Sequence, residues 1–142
     1  MHNDSVTDIV FNILHSYKMA MRSTLKGHEA GLNGMNVKCL TFISKSQNCT
    51  ANDIVIFFNR DKAQIARLIK EMMTNGWLTK TANPEDKRSQ LLRLTEQGKE
   101  LAELIRITDQ QVYKKMQENI SVEELTAFKR IALKISANLN KL

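Results

Sequence analysis

The chain has 142 residues, 42% of them hydrophobic and 25% charged, with 21 Lys and Arg against 15 Asp and Glu and a net charge of +6. This composition excludes a disordered chain and suits one domain with a proper core, or a compact core with a helical extension. The basic balance favours a polyanionic partner such as nucleic acid.

The opening MHNDSVTDIV lacks the basic start and apolar block of a signal peptide, and no stretch approaches the ~18 consecutive apolar residues of a membrane span. A soluble, cytoplasmic protein with no membrane contact is expected. Val6, Ile9, Val10, Ile13, Tyr17 and Met21 recur at helical spacing, which predicts an amphipathic helix from about residue 5 to 27, punctuated by Gly27 and Gly31. Asn33 can cap a second helix carrying Val37, Leu40 and Ile43. Thr50 caps a short third helix, with Asp53 supporting its start, and Asn59 is a turn residue that tolerates the left-handed conformation.

The fourth helix is the most regular. Asp61 caps it, Ile65, Leu68, Ile69, Met72 and Met73 form its stripe, and Gly76 ends it. Steps of about 100° per residue put Arg67, Lys70 and Thr74 opposite that stripe, with Ala63 and Gln64 flanking. Trp77 to Thr81 and Gln90 to Leu94 read as two short strands, with Leu92 and Leu94 pointing one way. Thr95 caps a long helix carrying Leu101, Leu104, Ile105, Val112 and Met116. Ser121 with Glu124 is a capping box for a last helix bearing Leu125, Phe128, Ile131, Ala132, Ile135 and Leu139.

The loop between the two strands, NPEDKRS, holds the chain's only proline, Pro84, two acids and two cations. A plain hairpin needs the turn but not the dense charge. Helix, short helix, Asn-containing turn, helix, hairpin is the order of a winged helix-turn-helix. In it the helix after the turn can enter a DNA major groove, and the hairpin tip reaches the adjacent backbone or minor groove. Pro84 then stiffens a projecting loop, and the leucines anchor it.

Thr50 to Gly98 resembles the winged-helix domain of MarR-type transcriptional regulators. That family's wing reads Asp-Pro-x-Asp-x-Arg, then four residues, an aliphatic, and Leu-Thr-x-x-Gly; Pro84, Asp86, Arg88, Leu94, Thr95 and Gly98 match it. Asp61-Lys62 and Arg67-Leu68 match the family's usual recognition helix, and the flanking long helices agree with its dimerisation region. The resemblance thus implies a mostly α-helical single domain, residues 1–142. Residues 33–98 would be the DNA-binding lobe, and residues 1–32 and 99–142 the dimerisation helices. Asn83 replaces the first wing aspartate and should still cap the turn, and Trp77 stands where an aliphatic is usual. Ile56 and Phe57 occupy positions usually polar or charged; an effector-pocket wall, a partner contact, or tolerance with subunit packing would each account for them.

The resemblance implies that Arg88 enters the minor groove while Asp86 orients it. The residues agree, because a narrow minor groove concentrates negative potential and a carboxylate can hold the guanidinium fork. Lys87 would contact phosphate. On the fourth helix, Gln64 can pair with adenine and Arg67 with guanine or phosphate. Lys70 belongs to the same exposed face, and Lys62 in the first turn positions the helix on phosphate. Thr50 and Asn52 could fasten the backbone.

The expected function is a DNA-binding transcriptional regulator reading a pseudo-palindromic site in double-stranded DNA as a homodimer, with a seam from the first, fifth and last helices. Repression relieved by a small-molecule or oxidant signal follows from the resemblance. A winged-helix module that binds protein and not DNA is the alternative. No cofactor is expected. His2, His15 and His28 are scattered and suggest no metal site. Cys39 and Cys49 have no metal-ligand or disulfide spacing and read as packing residues. No nucleophile–base arrangement or Gly-rich phosphate loop is visible, so no enzyme is expected.

Overall fold

The computed structural model describes residues 5–25 and 32–142. The expected glycine punctuation at Gly27 and Gly31, with His2 and His28, lies outside them. The chain divides into two compact units, one up to Asp109 and one from Gln110 onward.

In the first unit, α1 (Val6–Leu25) buries only Met21 and Leu25; Val6, Ile9, Val10 and Ile13 of the expected stripe are exposed. Helix α2 (Gly34–Lys45) begins where Asn33 Oδ1 accepts the Asn36 amide at 3.0 Å, and it buries Cys39, Leu40 and Ile43. Strand β1 (Cys49–Thr50) leads directly into α3 (Ala51–Phe58), whose capping box pairs Thr50 with Asp53. Asn59 then turns the chain with φ 52° and ψ 48°, the left-handed conformation that asparagine tolerates. Asp61 caps α4 (Lys62–Thr74) by accepting the Gln64 amide at 2.9 Å. Gly76, at φ +82°, closes that helix where a side chain would be strained.

Strands β2 (Leu78–Ala82) and β3 (Gln90–Leu94) form the hairpin, one residue later at β2 than the spacing suggested. The antiparallel order is β1-β3-β2, with Leu78 opposite Leu94, Lys80 opposite Leu92, and Cys49 also opposite Leu92. Central position explains a departure from simple alternation. Leu92 and Leu94 share a face as expected, but Leu91 on the other face is also buried, at 4% exposure. The two-residue β1 is too short to leave any periodicity in the sequence.

Trp77, Leu40, Ile54, Ile65, Met72 and Leu92 are fully buried and form the centre of this lobe. Trp77 fills the place of the usual aliphatic, and among the described residues its Nε1 finds no acceptor. Helix α5 (Glu96–Met116) starts at Thr95, whose Oγ1 accepts the Gly98 amide at 3.0 Å.

In the second unit, Asn119 adopts φ 60° ahead of α6 (Val122–Leu139). The expected capping box is present there: Ser121 Oγ accepts the Glu124 amide at 3.1 Å and the Ser121 amide donates to Glu124 Oε1 at 2.9 Å. These bonds hold the Glu124 carboxyl below its usual pKa. No α6 residue is buried within the chain, and Phe128 and Leu139 are 55% and 61% exposed.

Candidate nucleic-acid interface

Helix α4 divides cleanly. Ile65, Leu68, Ile69 and Met72 face the core, while Lys62, Gln64, Arg67 and Lys70 are exposed. Met73, expected in the stripe, lies at its edge with 37% exposure. Gln64 and Arg67 share a shallow groove with Arg60 of the preceding turn, Glu71, and Asn33 and Met35 at the start of α2. A second groove beside it joins Arg67 and Lys70 to Thr74 and Asn36. Sequence reasoning passed over Arg60 because it belongs to no helix and to no repeating pattern.

At the start of α3, Thr50 Oγ1 accepts the Asp53 amide at 3.2 Å, and the Thr50 amide donates to Asp53 Oδ2 at 2.9 Å. The hydroxyl hydrogen of Thr50 is not used by these two bonds, and Asn52 is exposed beside it. Both residues can donate to a phosphate.

The wing tip is shaped by side chains that accept from the backbone. The Glu85 amide donates to Asn83 Oδ1 at 3.0 Å, and Asn83 Nδ2 donates to Ser89 Oγ at 2.9 Å. Asn83 therefore takes over the turn-forming work of an aspartate. The Arg88 amide donates to Asp86 Oδ1 at 2.9 Å. The Arg88 side chain is held more weakly, with Nε 3.7 Å from the same oxygen and the side chain 95% exposed. Asp86 thus fixes the backbone beneath Arg88 more firmly than it fixes the guanidinium, and an exposed pair of this kind contributes only ~0–1 kcal/mol. Lys87 is exposed between them.

Two ties hold the hairpin to the helices. Thr95 Oγ1 donates to the Gly76 carbonyl at 2.5 Å, and the Thr95 amide donates to the Trp77 carbonyl at 3.0 Å. Arg93 of β3 donates to the Gln47 carbonyl at 2.6 Å and to Asn48 Oδ1 at 3.1 Å. The end of the α4 turn, the base of the hairpin and the α2–β1 loop are therefore linked by hydrogen bonds.

Behind the hairpin lies an open cleft of about 1000 Å³ whose walls include Tyr17, Met21, Ile43, Arg93, Ile105 and Arg106. Tyr17 donates to Asp109 Oδ1 at 2.7 Å, and burial with that carboxylate pushes its pKa up to about 12. Arg106 pairs with Glu103 at 2.6 Å, which holds the Glu103 carboxyl below its usual range. The two thiols are poor nucleophiles. Burial first, then the other thiol, raises Cys39 to about 12; burial first, then Asp53, raises Cys49 to about 11. A protonated, enclosed thiol reacts slowly, so iodoacetamide at pH 8 should leave both unmodified in the native protein and label both in urea. Rapid labelling of the native chain would show an opening that these packing positions do not provide.

Among the described residues, no three His, Cys, Asp or Glu side chains cluster to hold a metal ion, and no helix is long and apolar enough to cross a membrane.

The MarR family model matches residues 32–90, the segment that contains α2 to the start of β3. Over 98 residues the chain is 33% identical to the HTH-type transcriptional regulator BilQ of Clostridioides difficile, a match covering 69% of this chain and 65% of BilQ. The matched segment therefore spans just under two thirds of that relative. A crystal structure of an E. coli MarR mutant complexed with operator DNA superposes with TM-score 0.76 at 18% identity, covering 89% of this chain and 90% of that one. A structure of Bordetella bronchiseptica BpsR, described in terms of regulation of its DNA binding by 6-hydroxynicotinic acid, gives TM-score 0.76 at 19% identity and 96% coverage of each chain. At such identities the solved structures establish the shared fold; Pro84, Asp86 and Arg88 lie in the loop between β2 and β3, Leu94 ends β3, and Thr95 and Gly98 stand at the start of α5. By its match to the MarR family model over residues 32–90 and by its architecture, the chain is similar to MarR proteins and is built as a winged helix-turn-helix.

Proposed function

We propose that the protein is a DNA-binding transcriptional regulator, working inside the cell as a homodimer on a pseudo-palindromic operator in double-stranded DNA. The observation that carries this reading is the exposed α4 face of Lys62, Gln64, Arg67 and Lys70, tied through Thr95 to a wing that presents Lys87 and Arg88. Helix and wing supply the two contacts that a winged module makes, base edges in the major groove and backbone or minor groove beside it. Arg60 joins the set through its shared groove with Gln64 and Arg67.

A single module binds weakly, and two related by a dyad gain effective concentration. The exposed apolar side chains of α1 and those of α6 are the surfaces a homodimer seam would cover. DNA binding would repress transcription, and a small molecule in the cleft behind the hairpin would relieve it by binding one spacing of the two lobes better than the other. The enclosed, protonated thiols make a small molecule a better-supported signal than an oxidant.

The test uses duplex DNA from the region upstream of the protein's own gene, with affinity measured across a salt series. Neutralised phosphates release counterions, so log affinity should fall linearly with log salt. Lys87→Ala should weaken binding to every sequence and flatten that slope by about one unit. An unchanged slope would remove Lys87 from the contacts, and absence of any duplex preference would overturn the function.

A further inference from the structure

Away from the α4 face and the wing, α3 leaves two large apolar side chains in water: Ile56 is 69% exposed and Phe57 53%. Phe57 is nonetheless well ordered by its neighbours. Its ring stacks on Phe42 of α2, with centroids 4.4 Å apart and planes at 29°, and it meets the Phe58 ring edge-on at 5.1 Å and 77°. Stacked and edge-to-face pairs fix ring orientation, so the three rings make a preformed shelf that requires no rearrangement before a contact.

The α2 side of the shelf carries cations and, within α2, no acid. Lys38 and Lys45, both exposed, lie four residues before and three after Phe42, which places them along the Phe42 side of α2. The acid of α3, Asp53, directs its carboxylate to the Thr50 amide at 2.9 Å, so it does little to offset the lysines. We propose that this shelf docks an acidic amphipathic segment of a partner protein, with apolar side chains on Phe57 and Ile56 and carboxylates on the lysine border. Charge complementarity selects this occupant. A second copy joined through the same patch would bring two lysine borders together, and like charges across an interface are unfavourable. A single-stranded nucleic acid would stack bases on free ring faces, but one face of Phe57 already lies on Phe42, and Ile56 offers no ring.

The proposal is independent of duplex binding, because Phe57, Ile56 and Lys38 stand outside the residues assigned to the operator. The probe is a fluorescein-labelled synthetic helix of Glu, Leu and Phe, titrated with the full chain and followed by anisotropy. A version with Lys in place of Glu and a labelled oligothymidylate serve as competitors. The acidic peptide should bind more tightly than the basic one, and more weakly as salt is raised. Phe57→Ser should weaken it about tenfold or more, as loss of a buried aromatic anchor does, and Lys38→Glu should reverse the preference between the two peptides. Duplex affinity should be unchanged in both variants. The proposal is overturned if no peptide binds, if both peptides bind alike, if Phe57→Ser binds the acidic peptide as wild type does, or if oligothymidylate displaces it from the shelf. If Phe57→Ser lowers the melting temperature, Lys38→Glu, a change at an exposed position, decides the outcome by itself.

Discussion

Gly98→Ala is expected to cost about 3 kcal/mol, the upper end of what forced overpacking does. A Cβ at Gly98 would overlap the carbonyl oxygen of Trp77. That oxygen is backbone, and it is already engaged by the Thr95 amide at 3.0 Å, so no flexible side chain can swing aside. The first turn of α5 would have to lift from the α4–β2 turn, taking with it the Thr95 hydroxyl bonds to Gly76 and Gly98. The melting temperature should fall by roughly 10 °C for a chain of this size, compared at equal protein concentration because association shifts it. Gly34→Ala is the control: its Cβ would meet nothing within 4 Å, and it should be neutral or slightly stabilising. A Gly98→Ala variant melting with wild type would mean that the tight junction relaxes freely. Thr95→Val should fall between the two, losing a capping acceptor worth ~1 kcal/mol and leaving the Gly76 carbonyl without its donor.

That junction shows why much of the fold was legible. Asn33, Thr50, Asp61 and Ser121 each announce a helix start by local chemistry, and each accepts the expected amide. Capping is decided within four residues, so a linear reading captures it. Strand β1 was missed because two residues carry no period, and the burial of Leu91 was missed because it depends on β1 lying on the far side of β3. Both are facts of tertiary pairing. The candidate site divides in the same way. The exposed face of α4 follows from its wheel, whereas Arg60 enters only through a groove formed with α2. The role of Asp86 also changed in emphasis. The resemblance implied a carboxylate orienting a guanidinium, and the structure gives a carboxylate that first accepts the Arg88 amide. The exposed apolar faces of α1 and α6 illustrate the limit from the other side: their periodicity was plain, but periodicity does not say whether a face is covered by its own chain or by another.

The changed view of Asp86 sharpens the expected behaviour of the wing. Arg88→Lys keeps the charge, so long-range attraction to phosphate should survive almost intact. It loses the planar fork and weaker hydration that suit arginine to a narrow groove. Operator affinity should therefore fall by about 1–3 kcal/mol while binding to scrambled DNA barely changes. Asp86→Asn retains an oxygen that can accept the Arg88 amide, so the turn should persist; only the weak pull on Arg88 Nε at 3.7 Å is lost, and the loss of operator affinity should be smaller than that of Arg88→Lys. Asp86→Ala removes the acceptor altogether. It should release the tip backbone and weaken operator binding more than Asp86→Asn, although both delete the same charge. A wing acting only as a cationic tip gives the opposite order: Arg88→Lys costs almost nothing, and both Asp86 variants bind more tightly because an acid near phosphate has gone. Measuring the three variants on operator and scrambled duplex at one fixed salt concentration separates the pictures, since salt alone can shift every affinity. Tighter operator binding by Asp86→Ala than by wild type would sink the shaped wing, because it would mean that the backbone geometry held by Asp86 Oδ1 contributes nothing to recognition.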